Sequence, residues 1–184
     1  MTATFLVGLI GSLILVVGAA WPENESPRHP LRSIKNWLFA LGGLIMLVYA
    51  VLGYGQGGPI FFVFLEILVL IASTLMMIDV DDRIDLAVIS VTGVGFILWS
   101  LTLFEGYNTI FFILGLSGIG LGYAFQMGTV RRELALFLGS LLIAIFSFIE
   151  MNTVFFWLNV FFAAFSAVYL VKSLARLKKQ KKKR

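Results

Sequence analysis

The sequence predicts an all-α integral membrane protein with seven helices that cross a bilayer. Hydrophobic residues make up 60% of the chain and charged residues only 13%, whereas roughly a quarter of the residues in a soluble domain are charged. Short polar segments separate seven apolar runs, and lysine and arginine occur in alternate polar segments only. Together these observations exclude a water-soluble fold and predict a direction for each crossing.

The apolar runs follow one another along almost the whole chain. They cover residues 4–20, 36–53, 60–78, 86–104, 109–127, 134–149 and 154–171. Each crossing needs about 20 apolar residues, and backbone groups in hydrocarbon must pair internally, as they do in helices and closed barrels. These runs lack the alternation of polar and apolar residues that is typical of barrel strands. Each run is therefore predicted to be a transmembrane helix.

The basic residues of the loops predict the orientation. They occur in the first, third and fifth loops and in the tail, at Arg28, Arg32, Lys35, Arg83, Arg131, Arg132 and from Lys172 onward. The second, fourth and sixth loops contain no lysine or arginine. Because cytoplasmic loops are enriched in these residues, we expect the amino terminus outside and the carboxyl terminus in the cytoplasm. The membrane is expected to be the cell (cytoplasmic) membrane.

The carboxyl-terminal tail, residues 176–184, concentrates the positive charge. The chain has a formal net charge of +4, and its excess of lysine directly follows the last apolar run. Basic clusters beside a transmembrane helix bind anionic lipids. We therefore expect the lipid bilayer, and not nucleic acid, as the partner of the tail.

The residue types exclude several chemistries. The chain has no cysteine and one histidine, His29, so thiolate catalysis and histidine-rich metal sites are not expected. Acidic residues surround Arg83 in the third loop, where a solvated turn explains them better than a metal site does. No glycine-rich phosphate loop, nucleophile elbow or HExxH motif is present. We expect neither an enzyme nor a metal or other cofactor.

An internal repeat relates the first three runs to the last three. The segment LGGLIMLVY at 41–49 aligns with LGSLLIAIF at 138–146, FVFLE at 62–66 with FFWLN at 155–159, and GLIG at 8–11 with GLSG at 115–118. The matches keep their order and a nearly constant offset. The sequence therefore predicts a 3+1+3 parallel repeat: a unit at 1–80, a linker helix at 81–107 and a second unit at 108–175.

Motifs of the first unit carry a resemblance to a known transporter superfamily. Gly8 and Gly11 lead to the segment WPE at 21–23, and Gly42 and Tyr49 follow in the second run. This pattern resembles the SWEET, SemiSWEET and PQ-loop superfamily of small-solute transporters. Its members have a Pro-Gln pair after a glycine-rich first helix, and a glycine, a tryptophan and Tyr-Gly in the second. This chain has glutamate for the glutamine, Met46 at the tryptophan position and alanine after the tyrosine.

The third and later runs extend the resemblance. Pro59 stands where the superfamily places a proline before its third helix, while Phe64 stands near the expected asparagine and Glu66 is the nearest polar residue. In the second unit, the pair at 125–126 is similar to Pro-Gln, and Asn159 is similar to the binding asparagine. The resemblance implies a seven-helix transporter for a small solute, with a hinge at Pro22. A simple helix terminator would explain Pro22 equally well.

The candidate substrate-binding residues are polar groups within or beside the apolar runs. They are Glu66, Asn159, Tyr49 and Gln126. An ionisable group within a span costs a few kcal/mol, so Glu66 is expected to face protein or a cavity. Each residue also has a structural explanation. Glu66 could be a protonated glutamic acid that is hydrogen-bonded to another helix, and Asn159 could join two helices in the same way. Tyr49 could anchor its helix at the membrane interface.

Two functions follow from these observations. The first is a transporter that moves a small polar solute by alternating access between the two three-helix units, with proton coupling left open. The second is a non-catalytic scaffold or assembly subunit of a membrane complex, for which a second copy or another membrane protein would be the partner. Convergence of Glu66, Asn159 and Tyr49 on one water-accessible space would favour transport.

Overall fold

The computed structural model describes residues 2–21, 31, 33–78, 80–104, 106–126 and 128–181. These residues form seven helices and no strand: α1 (Ala3–Ala20), α2 (Ile34–Gly55), α3 (Phe61–Ile78), α4 (Asp82–Thr102), α5 (Tyr107–Ala124), α6 (Val130–Ile149) and α7 (Thr153–Lys181). All seven are long and apolar enough to cross a membrane, as predicted. This is the architecture of an integral membrane protein. Pro22, the predicted hinge, and residues 182–184 of the tail lie outside the described residues.

Short polar side chains begin several of the helices. Thr2, Ser33 and Thr129 each accept a hydrogen bond from a backbone N–H of the first helical turn, at 3.3 to 3.4 Å. These caps satisfy donors that have no partner within the helix. The largest difference from the predicted bounds is at α7, which continues to Lys181 although hydropathy falls after residue 171. The lysine, leucine and alanine residues that follow are good helix formers.

Six helices form a closed ring, in the order α1, α2, α3, α5, α6, α7 and back to α1. The remaining helix, α4, packs against α3 and α5 from outside this ring. If α1 is exchanged with α5, α2 with α6 and α3 with α7, the order of the helices around the ring stays the same. A parallel repeat about an axis through the ring requires this order. The superposition of the two units stays a prediction.

Glycines allow the first two helices of each unit to approach closely. A Cβ atom at Gly8 would lie 2.8 Å from the ring of Tyr49, and one at Gly118 would lie 2.7 Å from the Cα of Gly139. Neither distance can accommodate a methyl group. These glycines therefore permit the close packing of α1 against α2 and of α5 against α6.

Phenylalanine rings fill the centre of the ring of helices. The fully or almost fully buried members come from α3, α5, α6 and α7 and are Phe61, Phe62, Phe112, Phe146 and Phe155. Each of them lies within 6 Å, centroid to centroid, of at least one other. Such contacts add to the dispersion energy that holds helices together in lipid.

Candidate functional site

The candidate site is organised around a pair of stacked rings. Phe62 of α3 and Phe155 of α7 lie 4.2 Å apart, centroid to centroid, with an interplanar angle of 6°. These two residues occupy equivalent positions in the predicted repeat. Tyr49 lies 5.5 Å from Phe155, and its repeat equivalent Phe146 lies 5.3 Å from Phe62. The aligned aromatic residues therefore make matching contacts across the centre of the molecule.

Glu66 and Asn159 lie one helical turn beyond the stacked rings. Each follows its phenylalanine by four residues, which places it on the same face of its helix. Both side chains are buried, with 2% of Glu66 and 3% of Asn159 exposed. The Asn159 Nδ2 donates to the backbone carbonyl of Phe155 at 2.9 Å. Glu66 is thus enclosed by protein, as expected, and Asn159, its counterpart in the predicted repeat, is buried as well.

The Glu66 carboxyl group is incompletely paired. Its Oε2 atom is fully enclosed and has no hydrogen-bond partner among the described residues. Most buried polar atoms in proteins have a partner, so an unpaired one calls for a functional or structural explanation. A carboxyl group in this setting can carry a proton, or it can bond a solute that reaches it when the helices separate.

A vestibule lies on the other side of the stacked rings, at the predicted outer surface. It is shallow, with a water-accessible volume of about 20 Å³, which is room for about one water molecule. Its lining residues are Tyr49, Ala50, Gly53, Tyr54, Gly58, Pro59, Phe62, Asn152 and Phe155. Phe62 and Phe155 thus belong both to this vestibule and to the packed centre that contains Glu66.

Tyr49 belongs to the vestibule. Its hydroxyl donates to the Asn152 Oδ1 at 3.0 Å, and the same oxygen accepts the backbone N–H of Phe155 at 3.2 Å. Asn152 therefore caps the start of α7 and ties it to α2. Sequence reasoning passed over Asn152 in favour of the deeper Asn159. The asparagine three residues before Phe155 at a helix start was the signal that could have identified it.

The structure does not bring all four predicted residues together. Glu66 and Asn159 lie in the packed centre, whereas Tyr49 lines the vestibule, separated from them by the stacked rings. Gln126 is exposed just after the end of α5, where its backbone carbonyl accepts the Thr129 hydroxyl at 2.8 Å. The convergence on one water-accessible space that would favour transport over a scaffold therefore does not occur in this conformation.

A second aligned pair of polar residues lies further along the same helix faces. Ser73 and Ser166 follow Glu66 and Asn159 by seven residues each and are both buried. The Ser73 hydroxyl donates to the carbonyl of Val69 at 2.8 Å. Among the described residues, no group of three or more histidine, aspartate or glutamate side chains could hold a metal ion.

Comparisons with protein-family models, with curated proteins and with solved structures find no match to this chain.

Proposed function

We propose that this protein is a membrane transporter for a small polar solute, which it moves by alternating access between two three-helix units. Residues 1–80 form the first unit and residues 108–175 the second, with α4 as the linker. Glu66 and Asn159 bind the solute at the centre, and Tyr49 lies on the route from the outer vestibule. The amino terminus is outside and the basic tail is at the cytoplasmic face.

One observation carries this proposal: equivalent residues of the two halves meet at the centre of the molecule. Phe62 stacks on Phe155 at 4.2 Å, and each is followed one turn later by a buried polar side chain. Transporters built from repeats place their sites at the interface between the repeats. The stacked rings separate the vestibule from Glu66, so this conformation is closed toward the predicted outer side.

The experiment is uptake by purified protein in lipid vesicles, with a panel of sugars, amino acids and vitamins as solutes. We expect at least one solute to accumulate and Glu66→Ala to abolish its uptake. The matched control is Thr74→Ala, which changes an exposed residue of the same helix. Equal uptake by Glu66→Ala and Thr74→Ala would overturn the site. Glu66→Gln would retain uptake if the carboxyl group only bonds the solute, and would lose the response to a pH gradient if it carries a proton.

A scaffold is the second candidate function, and the dense centre of the molecule favours it. Five phenylalanine rings fill the middle of the ring of helices, where a transporter in an open conformation would hold water. If no solute on the panel moves, and the purified chain retains a specific membrane partner that Glu66→Ala releases, the scaffold explains the buried carboxyl group better than transport does.

A further inference from the structure

The buried charged side chains of this protein are acidic. Within the part of the chain that the structure describes, the buried members are Glu66 and Glu133, and every lysine or arginine whose burial is described is at least partly exposed. Glu133 lies in the first turn of α6, so Glu66 is the charged group of the centre. Because an isolated carboxylate is costly to bury, a positively charged partner would stabilise it and a negatively charged one would not.

The polar groups of Glu66 and Asn159 present hydrogen-bond acceptors. The Asn159 Nδ2 donates to the backbone carbonyl of Phe155 at 2.9 Å, so the amide oxygen Oδ1 is directed away from that carbonyl and accepts only. The Glu66 Oε2 is enclosed and has no hydrogen-bond partner in the described part of the chain. An ionised carboxyl group also accepts only. A solute that bonds both oxygens must therefore supply hydrogen-bond donors.

Aromatic ring faces lie one helical turn from these acceptors. Phe62 precedes Glu66 and Phe155 precedes Asn159 by four residues, the spacing of neighbours on one helix face. The two rings are parallel to within 6° at a centroid distance of 4.2 Å. The face of a phenyl ring attracts a cation and packs against hydrocarbon. Once the rings separate, two ring faces and two acceptors are offered to the same solute.

We propose that the solute is a protonated organic amine. This inference rests on the proposed function and gives the chemical class of its solute. The ammonium N–H groups donate to the Glu66 carboxylate and to the Asn159 Oδ1, and the hydrocarbon part lies between the separated rings of Phe62 and Phe155. An alkylamine carries its proton at neutral pH, so it brings the charge that the carboxylate lacks. A sugar brings no charge, and an organic acid brings a second negative one.

Binding to purified protein in lipid nanodiscs tests this class, with isothermal titration calorimetry as the measurement and empty nanodiscs as the blank. The probes are pairs with the same hydrocarbon part: butylamine with butanol, and phenethylamine with phenethyl alcohol. Butyrate is the anionic probe. We expect saturable binding of at least one amine, about ten-fold tighter than its alcohol, because hydrogen bonds between charged groups are stronger than neutral ones. Butyrate should not bind.

Variants of α3 assign the binding to the site. Glu66→Gln keeps the shape of the side chain without its charge, and it should weaken amine binding about ten-fold. Phe62→Leu removes one ring face and should weaken it about five-fold. Phe64→Leu is the matched control, because this ring is equally buried on the same helix but stacks on Phe96 of α4. It should bind the amine as the wild type does. Thermal unfolding checks that each variant is folded.

The outcomes separate the class of the solute from transport. Amine binding that is lost in Glu66→Gln supports the class even if no solute is taken up, a result that would count against transport alone. Equal affinity for each amine and its alcohol, no binding of either amine, or amine binding that Glu66→Gln leaves unchanged overturns the class even if a neutral solute is transported. Equal losses in Phe62→Leu and Phe64→Leu would overturn the role of the ring faces.

Discussion

The helices α3 and α7 have the same inner face and different outer faces. On the inner face each has a buried phenylalanine and a buried polar residue one turn later. On the outer face of α3, Phe64 is 2% exposed and its ring stacks 4.9 Å from that of Phe96 of α4. The equivalent residue of α7, Trp157, is 54% exposed. The inner faces therefore match as the predicted repeat requires. Burial of the outer face depends on α4, which contacts α3 and not α7.

The loops after the second helix of each unit show the same shared plan. After α2, the backbone N–H of Gly58 donates a hydrogen bond to the carbonyl of Gly53 at 3.0 Å. After α6, the backbone N–H of Asn152 donates to the carbonyl of Ser147 at 2.9 Å. Both are Schellman caps, which need a residue in the left-handed region. Glycine supplies it at Gly57, with φ of 91°, but Met151 adopts φ of 54°. The two helix ends therefore have the same cap geometry, although a glycine adopts the left-handed conformation in one and a methionine in the other.

Hydrogen bonds also join matching helix ends. The Gln56 Nε2 donates to the Thr4 hydroxyl at 2.9 Å, which ties the end of α2 to the start of α1. The Asn108 Nδ2 donates to a carboxylate oxygen of Glu150, which ties the start of α5 to the end of α6. A side-chain amide thus joins the first and second helices of each predicted unit. The donor belongs to the second helix in the first unit and to the first helix in the second unit.

The largest expected effect concerns the polar residues of the two inner faces. Glu66→Ala should abolish solute uptake, whereas Asn159→Ala should reduce it about five-fold, because loss of one neutral hydrogen bond costs about 1 kcal/mol. Initial uptake rates in vesicles with equal protein content measure both. If the asparagine variant lost more activity than the glutamate variant, the second unit would hold the principal binding group.

The next effect distinguishes the outer faces. Phe64→Ala should lower the free energy of unfolding by about 3 kcal/mol, because a buried ring is replaced by a cavity. Trp157→Ala should lower it by less than about 1 kcal/mol, because much of the tryptophan faces lipid. Chemical denaturation in mixed micelles gives both values. Similar losses would mean that α7 has a covering partner equivalent to α4.

A smaller effect is expected at the vestibule. Tyr49→Phe removes the hydroxyl that bonds Asn152 and leaves the ring, so it should destabilise the protein by about 1 kcal/mol. The equivalent residue in the second unit is Phe146, which has no hydroxyl. Unfolding free energies of Tyr49→Phe, of Asn152→Ala and of the double variant would show whether the two losses are coupled. Strictly additive losses would argue against this bond in the folded protein.

The smallest effect concerns the caps. Met151→Gly should stabilise the protein by up to about 1 kcal/mol, because glycine adopts the left-handed conformation without the cost to an L residue. Met151 is 86% exposed, so few contacts are lost. Gly57→Ala should have the opposite sign. Thermal unfolding measures the pair, and destabilisation by Met151→Gly would disprove the equivalence of the two caps.

The sequence predicted the features that depend on local composition and on the repeat. Seven helices follow from hydropathy alone. The alignment of FVFLE with FFWLN singled out Glu66 and Asn159, and both are buried. Features that depend on tertiary contacts could not be predicted in this way. The burial of Phe64 beside α4 and the hydrogen bond from Tyr49 to Asn152 both join residues from distant parts of the chain.

The central claim is that α3 and α7 face each other at Phe62 and Phe155 and must separate for a solute to pass. The chain has no cysteine, so Phe62→Cys with Phe155→Cys can be cross-linked without background by a short bifunctional thiol reagent that forms reducible bonds to both sulfurs. Such a reagent is needed because no Cα atom of α3 lies within 8 Å of one of α7, too far for a direct disulfide. Phe62→Cys with Trp157→Cys is the matched control. We expect a reversible cross-link in the first pair, none in the second, and uptake that stops on cross-linking and returns on reduction. A cross-link in the control pair only, or unchanged uptake by the fully cross-linked protein, would contradict the account.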